Sequence, residues 1–288
     1  MDRSRISGRE MKFAAIFSLI VAMTSAAALG AAQIGQWALS GGHPQIVGKL
    51  SAQTLANGTQ LDIAQYRRGS NALIMNYPLD QTKLMHLIIV RADFREFMHV
   101  HPALRAGHFR ILVALSADQR YYAYADSAPA GIGQQVVRFT LKAGEPPSVQ
   151  TTKVAASLPQ VAAGPYVVHL TRTIVPKAQP LSLAVTITRH GRLASDVQPY
   201  LGAAAHVVVI STSNLSYIHV HPMARGQKMQ MSDGMSGMTM PSMQPSQHVD
   251  PHLDLSLPAL SQSGAYEMWL QFRGGGTLYV APFTIVAR

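Results

Sequence analysis

The chain has 288 residues, room for two ordinary domains of about 100–150 residues each. Hydrophobic residues make up 48% of it and charged residues only 13%, which favours β-structure with a Ser, Thr, Gln and Gly surface over exposed, salt-bridged helices. The net charge of +10 is diffuse, with Arg67-Arg68 and Arg91 with Arg95 its tightest clusters, so it excludes a nucleic-acid stripe and suits an anionic membrane surface better; the absence of cysteine excludes disulfides, thiolate zinc sites, Fe–S clusters and blue-copper sites.

In chain order, Arg3, Arg5, Arg9 and Lys12 precede an apolar run of about 20 residues, long enough to span a bilayer. Its second half, Ser25 to Ala32, is made of small residues suited to signal-peptidase cleavage. Residues 1–33 therefore read as a signal peptide or a signal-anchor helix, which places the rest outside the cytoplasm, in the periplasm or at the cell surface. Residues 34–49 read as a linker.

From residue 50 the pattern is period-two alternation and short apolar runs broken by Gly, Pro, Asn and Asp. Strands are predicted at 60–66, 71–77, 86–91, 97–101, 108–115, 121–125 and 135–141. A Pro- and Ala-rich stretch, 146–164, reads as a second linker, and strands follow at 166–174, 181–189, 206–211, 217–221, 252–257, 266–272 and 277–286. The expected fold is all-β, with two tandem Ig-like or cupredoxin-like β-sandwiches at 50–145 and 165–288 after the N-terminal apolar helix.

An internal repeat supports the division. Residues 86–102 (HLIIVRADFREFMHVHP) and 206–222 (HVVVISTSNLSYIHVHP) align without gaps, with five of 17 positions identical. The shared residues are His86/His206, His99/His219, Val100/Val220, His101/His221 and Pro102/Pro222. In a strand, residues i and i+2 share a face, so His99 and His101 point together. A hairpin turning at Asp93-Phe94 pairs Ile88 with His99 and sets His86 opposite His101, bringing three imidazoles to one face. A turn at Ser213-Asn214 does the same for His206, His219 and His221. Such a triad binds Cu(II), Zn(II) or Ni(II). His108 and His252, each opening the strand after its triad, are candidate fourth ligands.

The second copy carries a Met-rich insertion at 223–247. Met223, Met229, Met231, Met235, Met238, Met240 and Met243 lie there among Gly, Ser, Gln and Pro, a composition that cannot form a packed core. Soft thioethers select Cu(I), so Met229, Met231, Met235, Met238, Met240 and Met243 are its candidate ligands. Copper, as Cu(I), Cu(II) or both, is the expected metal, with zinc second.

The stretch PYLGAAAHVVVISTSNLSYIHVHP, Pro199 to Pro222, resembles a motif of bacterial exported proteins, mostly uncharacterised. Their pattern is Tyr-Leu-Gly-Ala, a His, a hydrophobic strand and Tyr-x-His-Val-His-Pro on an Ig-like or cupredoxin-like sandwich. The first copy departs from it, with Asp80-Gln81-Thr82-Lys83 in place of Tyr200-Leu201-Gly202-Ala203, so the resemblance favours the second site. The Met-x-Met clusters resemble those of periplasmic copper-resistance and copper-carrier proteins. That resemblance implies metal capture, buffering or transfer, with a copper exporter or another exported metal protein as partner. An uncleaved N-terminal segment would add the membrane.

Two other classes are open. Tandem Ig-like sandwiches also serve as extracellular interaction or scaffold modules. A metal-dependent, bicupin-like enzyme needs a Glu after its His-x-His, and Pro102-Ala103-Leu104-Arg105 and Pro222-Met223-Ala224-Arg225 do not supply one.

Overall fold

The computed structural model describes residues 32–39, 42–116, 118–142, 155–227, 230–231, 238–239, 242–244 and 247–288. Residues 1–31, which hold nearly all of the N-terminal apolar run, lie outside them. The described chain is all-β. Its first half supplies β1 (Gln33–Ile34), β2 (Gln36–Trp37), β3 (Ile46–Leu55), β4 (Gly58–Arg67), β5 (His86–Arg91), β6 (Phe97–Val100), β7 (Ala103–Arg105), β8 (His108–Val113), β9 (Arg120–Ser127) and β10 (Gln135–Lys142). The second half supplies β11 (Gln160–Ala163), β12 (Tyr166–Leu170), β13 (Ile174–Val175), β14 (Leu181–Arg189), β15 (Arg192–Leu193), β16 (Val197–Gln198), β17 (His206–Ser211) and β18 (Tyr217–Val220). It continues with β19 (Met223–Ala224), β20 (Gln230–Met231), β21 (Met238–Thr239), β22 (His252–Leu257), β23 (Gly264–Gly274) and β24 (Thr277–Ala287).

Each half is a two-sheet sandwich. In the first, the sheet β1-β3-β4-β8-β7 faces β2-β10-β9-β5-β6 across a core that includes Leu50, Leu61, Ile63, Phe109, Leu87, Tyr121 and Phe139. In the second, β11-β12-β14-β22-β19 faces β13-β24-β23-β17-β18 across a core that includes Leu183, Leu253, Leu255, Val207, Leu270 and Phe272. The hairpins pair as the hydrophobic pattern predicts, with Ile88 opposite His99 and Val208 opposite His219.

Three predicted elements differ, the first being the expected linker 146–164, whose end forms β11 and pairs with β12. Residues 71–77 form no strand, because Asn71 takes a left-handed φ of 55° and the segment makes only an isolated bridge, Leu73 to Tyr66. Residues 34–49 are no free linker: β1 and β2 pair with β3 and β10. Glycine makes that contact close enough. A Cβ on Gly35 would lie 2.8 Å from the Phe139 ring, and one on Gly48 would lie 2.5 Å from Val137.

A strand packed on one face alternates apolar and polar, but β5 and β17 are buried along their lengths. Leu87, Ile89, Val207 and Val209 fill their own sandwiches, while Ile88, Val90, Val208 and Ile210 join a third core between the sandwiches. The two inner sheets thus pack face to face, as continuous apolar strands require. The contacts are reciprocal. Phe97 stacks on Trp269 with centroids 4.8 Å apart, and Tyr217 stacks on Tyr124 at 5.0 Å. Each aromatic buried here contributes about 1.5–3 kcal/mol. The N-terminal strand clasps the same seam, since the Ala38 N–H donates to Val136 O and Ala38 O accepts from the Tyr217 N–H.

Candidate metal centre

The register that sends Ile88, Val90, Val208 and Ile210 into the seam sends the histidines there too, because residues two apart share a face. His86 and His206 open β5 and β17; His99 and His219 sit on the partner strands β6 and β18. The pseudo-symmetric packing then brings both sets together. One ring nitrogen from each of His86, His99, His206 and His219 lies within 4.8 Å of the other three, so the four can hold a metal ion. His86 is 1% exposed, His206 0%, and the side chain of His219 1%.

Within each hairpin the ring nitrogens nearly touch: His86 Nδ1 to His99 Nε2 is 2.9 Å, and His206 Nδ1 to His219 Nε2 is 3.2 Å. Two nitrogens bound to one ion at 2.0–2.1 Å would be about 2.9–3.4 Å apart for angles between square and tetrahedral. The opposite nitrogen of every ring faces an oxygen. His86 Nε2 meets Asp80 O and His206 Nε2 meets Tyr200 O, both at 3.0 Å. His99 Nδ1 meets Gln271 Oε1 at 2.6 Å, and His219 Nδ1 meets Asp126 Oδ2 at 3.1 Å. A carbonyl or ionised carboxylate oxygen only accepts, so with Asp126 ionised each outer nitrogen carries the proton and each inner one presents a lone pair. Outer-shell acceptors of this kind orient metal-binding histidines.

The two acceptor carbonyls come from equivalent turns. Gln81 and Thr82 have φ of 42° and 72°, and Leu201 and Gly202 have 51° and 81°. Each turn is closed by paired bonds, Asp80 with Lys83 and Tyr200 with Ala203. Left-handed φ at both central positions defines a type I′ turn. The departure of Asp80-Gln81-Thr82-Lys83 from the Tyr-Leu-Gly-Ala pattern therefore leaves the backbone that orients His86 unchanged, and the first copy contributes to the centre as fully as the second.

Burial holds the histidines neutral. His86, His99, His206 and His219 all lie below the ordinary histidine value, with burial the first cause and neighbouring imidazoles the next for His99, His206 and His219. Burial pushes the fully buried Asp126 up to about 7, against hydrogen bonds from Gln134 and Tyr217. The acceptors are the one point where the symmetry breaks. Asp126 and Gln271 stand opposite His86 and His206 in the ladders, a carboxylate in one half and an amide in the other.

The two triads expected from the repeat are thus one interdomain cluster. His101 and His221 complete it at its edge, their rings 5.1 Å from His86 and 4.4 Å from His206. His108 and His252 are elsewhere. Pro102 and Pro222 stop the inner strands and the chain crosses to the outer sheets, where His108 bonds Asp62 at 2.5 Å and His252 bonds Asp250 at 2.9 Å. Met229, Met235 and Met240 lie outside the described residues. The backbones of Met231 and Met238 pair as β20 and β21, and the Met243 N–H donates to Gly202 O in the turn that orients His206. Sequence reasoning missed Asp126, Gln271 and the fusion of the triads. The legible signal was the run of apolar residues on both faces of β5 and β17, which demands cover on the second face.

Residues 160–288, the second sandwich alone, match a family described as a domain of unknown function (DUF8832). No curated protein matches the chain. Among solved structures, the chain is similar to Salmonella alpha-2-macroglobulin reacted with methylamine, at 9% identity and a TM-score of 0.22, covering 85% of this chain and 17% of that one. It is also similar to the FN1–FN3 domains of chicken CNTN1, at 7% identity and a TM-score of 0.20, over 91% of this chain and 99% of that one. Likenesses this weak say nothing about function.

Proposed function

We propose that this is an exported copper-binding protein that captures, buffers or hands on metal through one centre of four histidines between its sandwiches. The observation that carries the reading is the set of four outer-nitrogen acceptors. They leave His86 Nδ1, His99 Nε2, His206 Nδ1 and His219 Nε2 as lone pairs facing one another in one cluster no more than 4.8 Å across. Without a cation, lone pairs 2.9 and 3.2 Å apart repel; with one, they are ligands.

Four neutral imidazoles suit Cu(II) and Zn(II), and at equal availability the divalent series favours copper. A buried dication needs compensating charge, which the ionised Asp126 carboxylate beside His219 supplies. The Met-rich insertion supports the copper reading through its thioethers, which suit Cu(I). Its far end rests on the Tyr200–Ala203 turn, next to the centre. The apolar N-terminus supports export, and the motif shared with bacterial exported proteins agrees with it.

Titrating the metal-free protein with Cu(II), Zn(II) and, under reductant, Cu(I) tests the proposal. Sub-micromolar Cu(II) binding that is lost in both His86→Ala and His206→Ala is the expected result. Failure to bind Cu(II) tightly, or binding indifferent to both substitutions, overturns it.

A further inference from the structure

His101 and His221 have no role in the four-histidine group, yet each has a buried Nε2 with no hydrogen-bond partner among the described residues. A buried ring nitrogen without a partner is costly, and native structures rarely tolerate one without a ligand or a function. Here it occurs twice, at equivalent positions of two diverged copies. The hairpin tips Arg91–Arg95 and Ser211–Leu215 share no residue, whereas the His-Val-His-Pro stretch that carries these two rings is identical in both copies.

The ring spacing says what the nitrogens are for. In the first hairpin the centroids form a nearly equilateral triangle: His86–His99 5.1 Å, His86–His101 5.1 Å and His99–His101 4.8 Å. In the second the sides are 5.4, 4.4 and 4.7 Å. Three imidazoles on one ion at 2.0–2.1 Å place their centroids about 5 Å apart. Across the seam the centroids lie 5.0 to 5.8 Å apart, so the four rings His86, His99, His206 and His219 also form a tetrahedron of centroids. Four histidines are therefore shared between two ways of binding metal: one ion in the tetrahedron, or one ion in each triangle.

We propose that the centre takes a second ion, with His86, His99 and His101 holding one and His206, His219 and His221 the other. This rests on the four-histidine reading and extends it: His101 and His221 are capacity ligands, needed for the second ion and dispensable for the first. Three nitrogens per ion leave a coordination position free on each, where water or an incoming donor can bind.

Cu(II) is the probe, because thioethers do not compete for it as they do for Cu(I). Equilibrium dialysis of the full chain should give two tightly bound Cu(II) per molecule, falling to one in His101→Ala and to one in His221→Ala. At saturation, the paramagnetic resonance signal of the wild type should account for well under the total copper, because neighbouring Cu(II) ions couple. In either variant it should account for all of it. One Cu(II) in the wild type and in both variants, with full signal, overturns the second site and leaves the four-histidine centre standing. No binding at all removes both.

Discussion

The two hairpins that build the centre share a backbone plan and little sequence. In the first, a turn of Asp80, Gln81, Thr82 and Lys83 orients His86; in the second, Tyr200, Leu201, Gly202 and Ala203 orient His206, with the same left-handed pair of residues and the same 3.0 Å carbonyl contact. Main-chain geometry, and not side-chain identity, carries the positioning, so the turn could diverge while the histidines could not. The acceptors behind His99 and His219 differ in kind: Gln271 is neutral, whereas Asp126 can carry the countercharge of a dication. The halves are equals in ligands and unequal in charge.

The largest effects should come from breaking that equality at the ligands. His86→Ala and His206→Ala should each weaken binding of the first Cu(II) by at least about 100-fold, more than an outer-shell change costs. The two losses should agree within a few-fold, as calorimetric titration would show. A loss in one half only would mean that the halves act separately.

The next effect sharpens the charge difference. Asp126→Asn should lower Cu(II) affinity by about 10–100-fold, and Gln271→Glu should raise it, both read by competition against a chelator. Equal and opposite responses are not required, but an unchanged affinity in Asp126→Asn would show that the carboxylate does not compensate the ion.

The seam comes third. Phe97→Ala or Trp269→Ala each removes half of a stacked pair between the sandwiches and should cost about 3–5 kcal/mol, measured by denaturant unfolding. Either should also weaken metal binding, because the ligands come from both sides. Unchanged affinity in a folded variant would mean that the halves hold the ion without the seam.

The smallest effect is in pH. The cluster histidines titrate lower when folded than when unfolded. The unfolded chain therefore takes up their protons first as pH falls. Their stabilising contribution is full above about pH 6.5 and is lost below it, by about 1.4 kcal/mol per pH unit for each histidine still neutral in the fold. Asp126, raised to about 7, and Glu267, also raised by burial, act in the opposite direction, but they are two groups against six histidines. The metal-free melting temperature should drop steeply between pH 6.5 and 4, and a flat profile would contradict the burial of neutral imidazoles. Bound metal should delay the drop.

Most of the long strands and both hairpin registers were legible because period-two patterning and the His-x-His spacing depend on local geometry alone, whereas β3 was not and 71–77 was misread as a strand. The seam was less so. Nothing local tells whether the outer face of Ile88, Val90, Val208 and Ile210 meets another sheet of the same chain, although apolar residues on both faces of a strand say that something covers it. The distance in sequence between His99 and Gln271, or between His219 and Asp126, is why the second set of partners could not be read. These contacts follow from the packing of whole sandwiches. His108 and His252 misled for a related reason: each follows its triad in sequence, but Pro102 and Pro222 turn the chain to the far sheet.

The most direct test of the single interdomain centre is anomalous diffraction from crystals loaded with one equivalent of Cu(II). The expected result is one copper peak between β5–β6 and β17–β18, bonded to His86, His99, His206 and His219. A peak bonded to histidines of one hairpin only, or lying at His108 or His252, would contradict it.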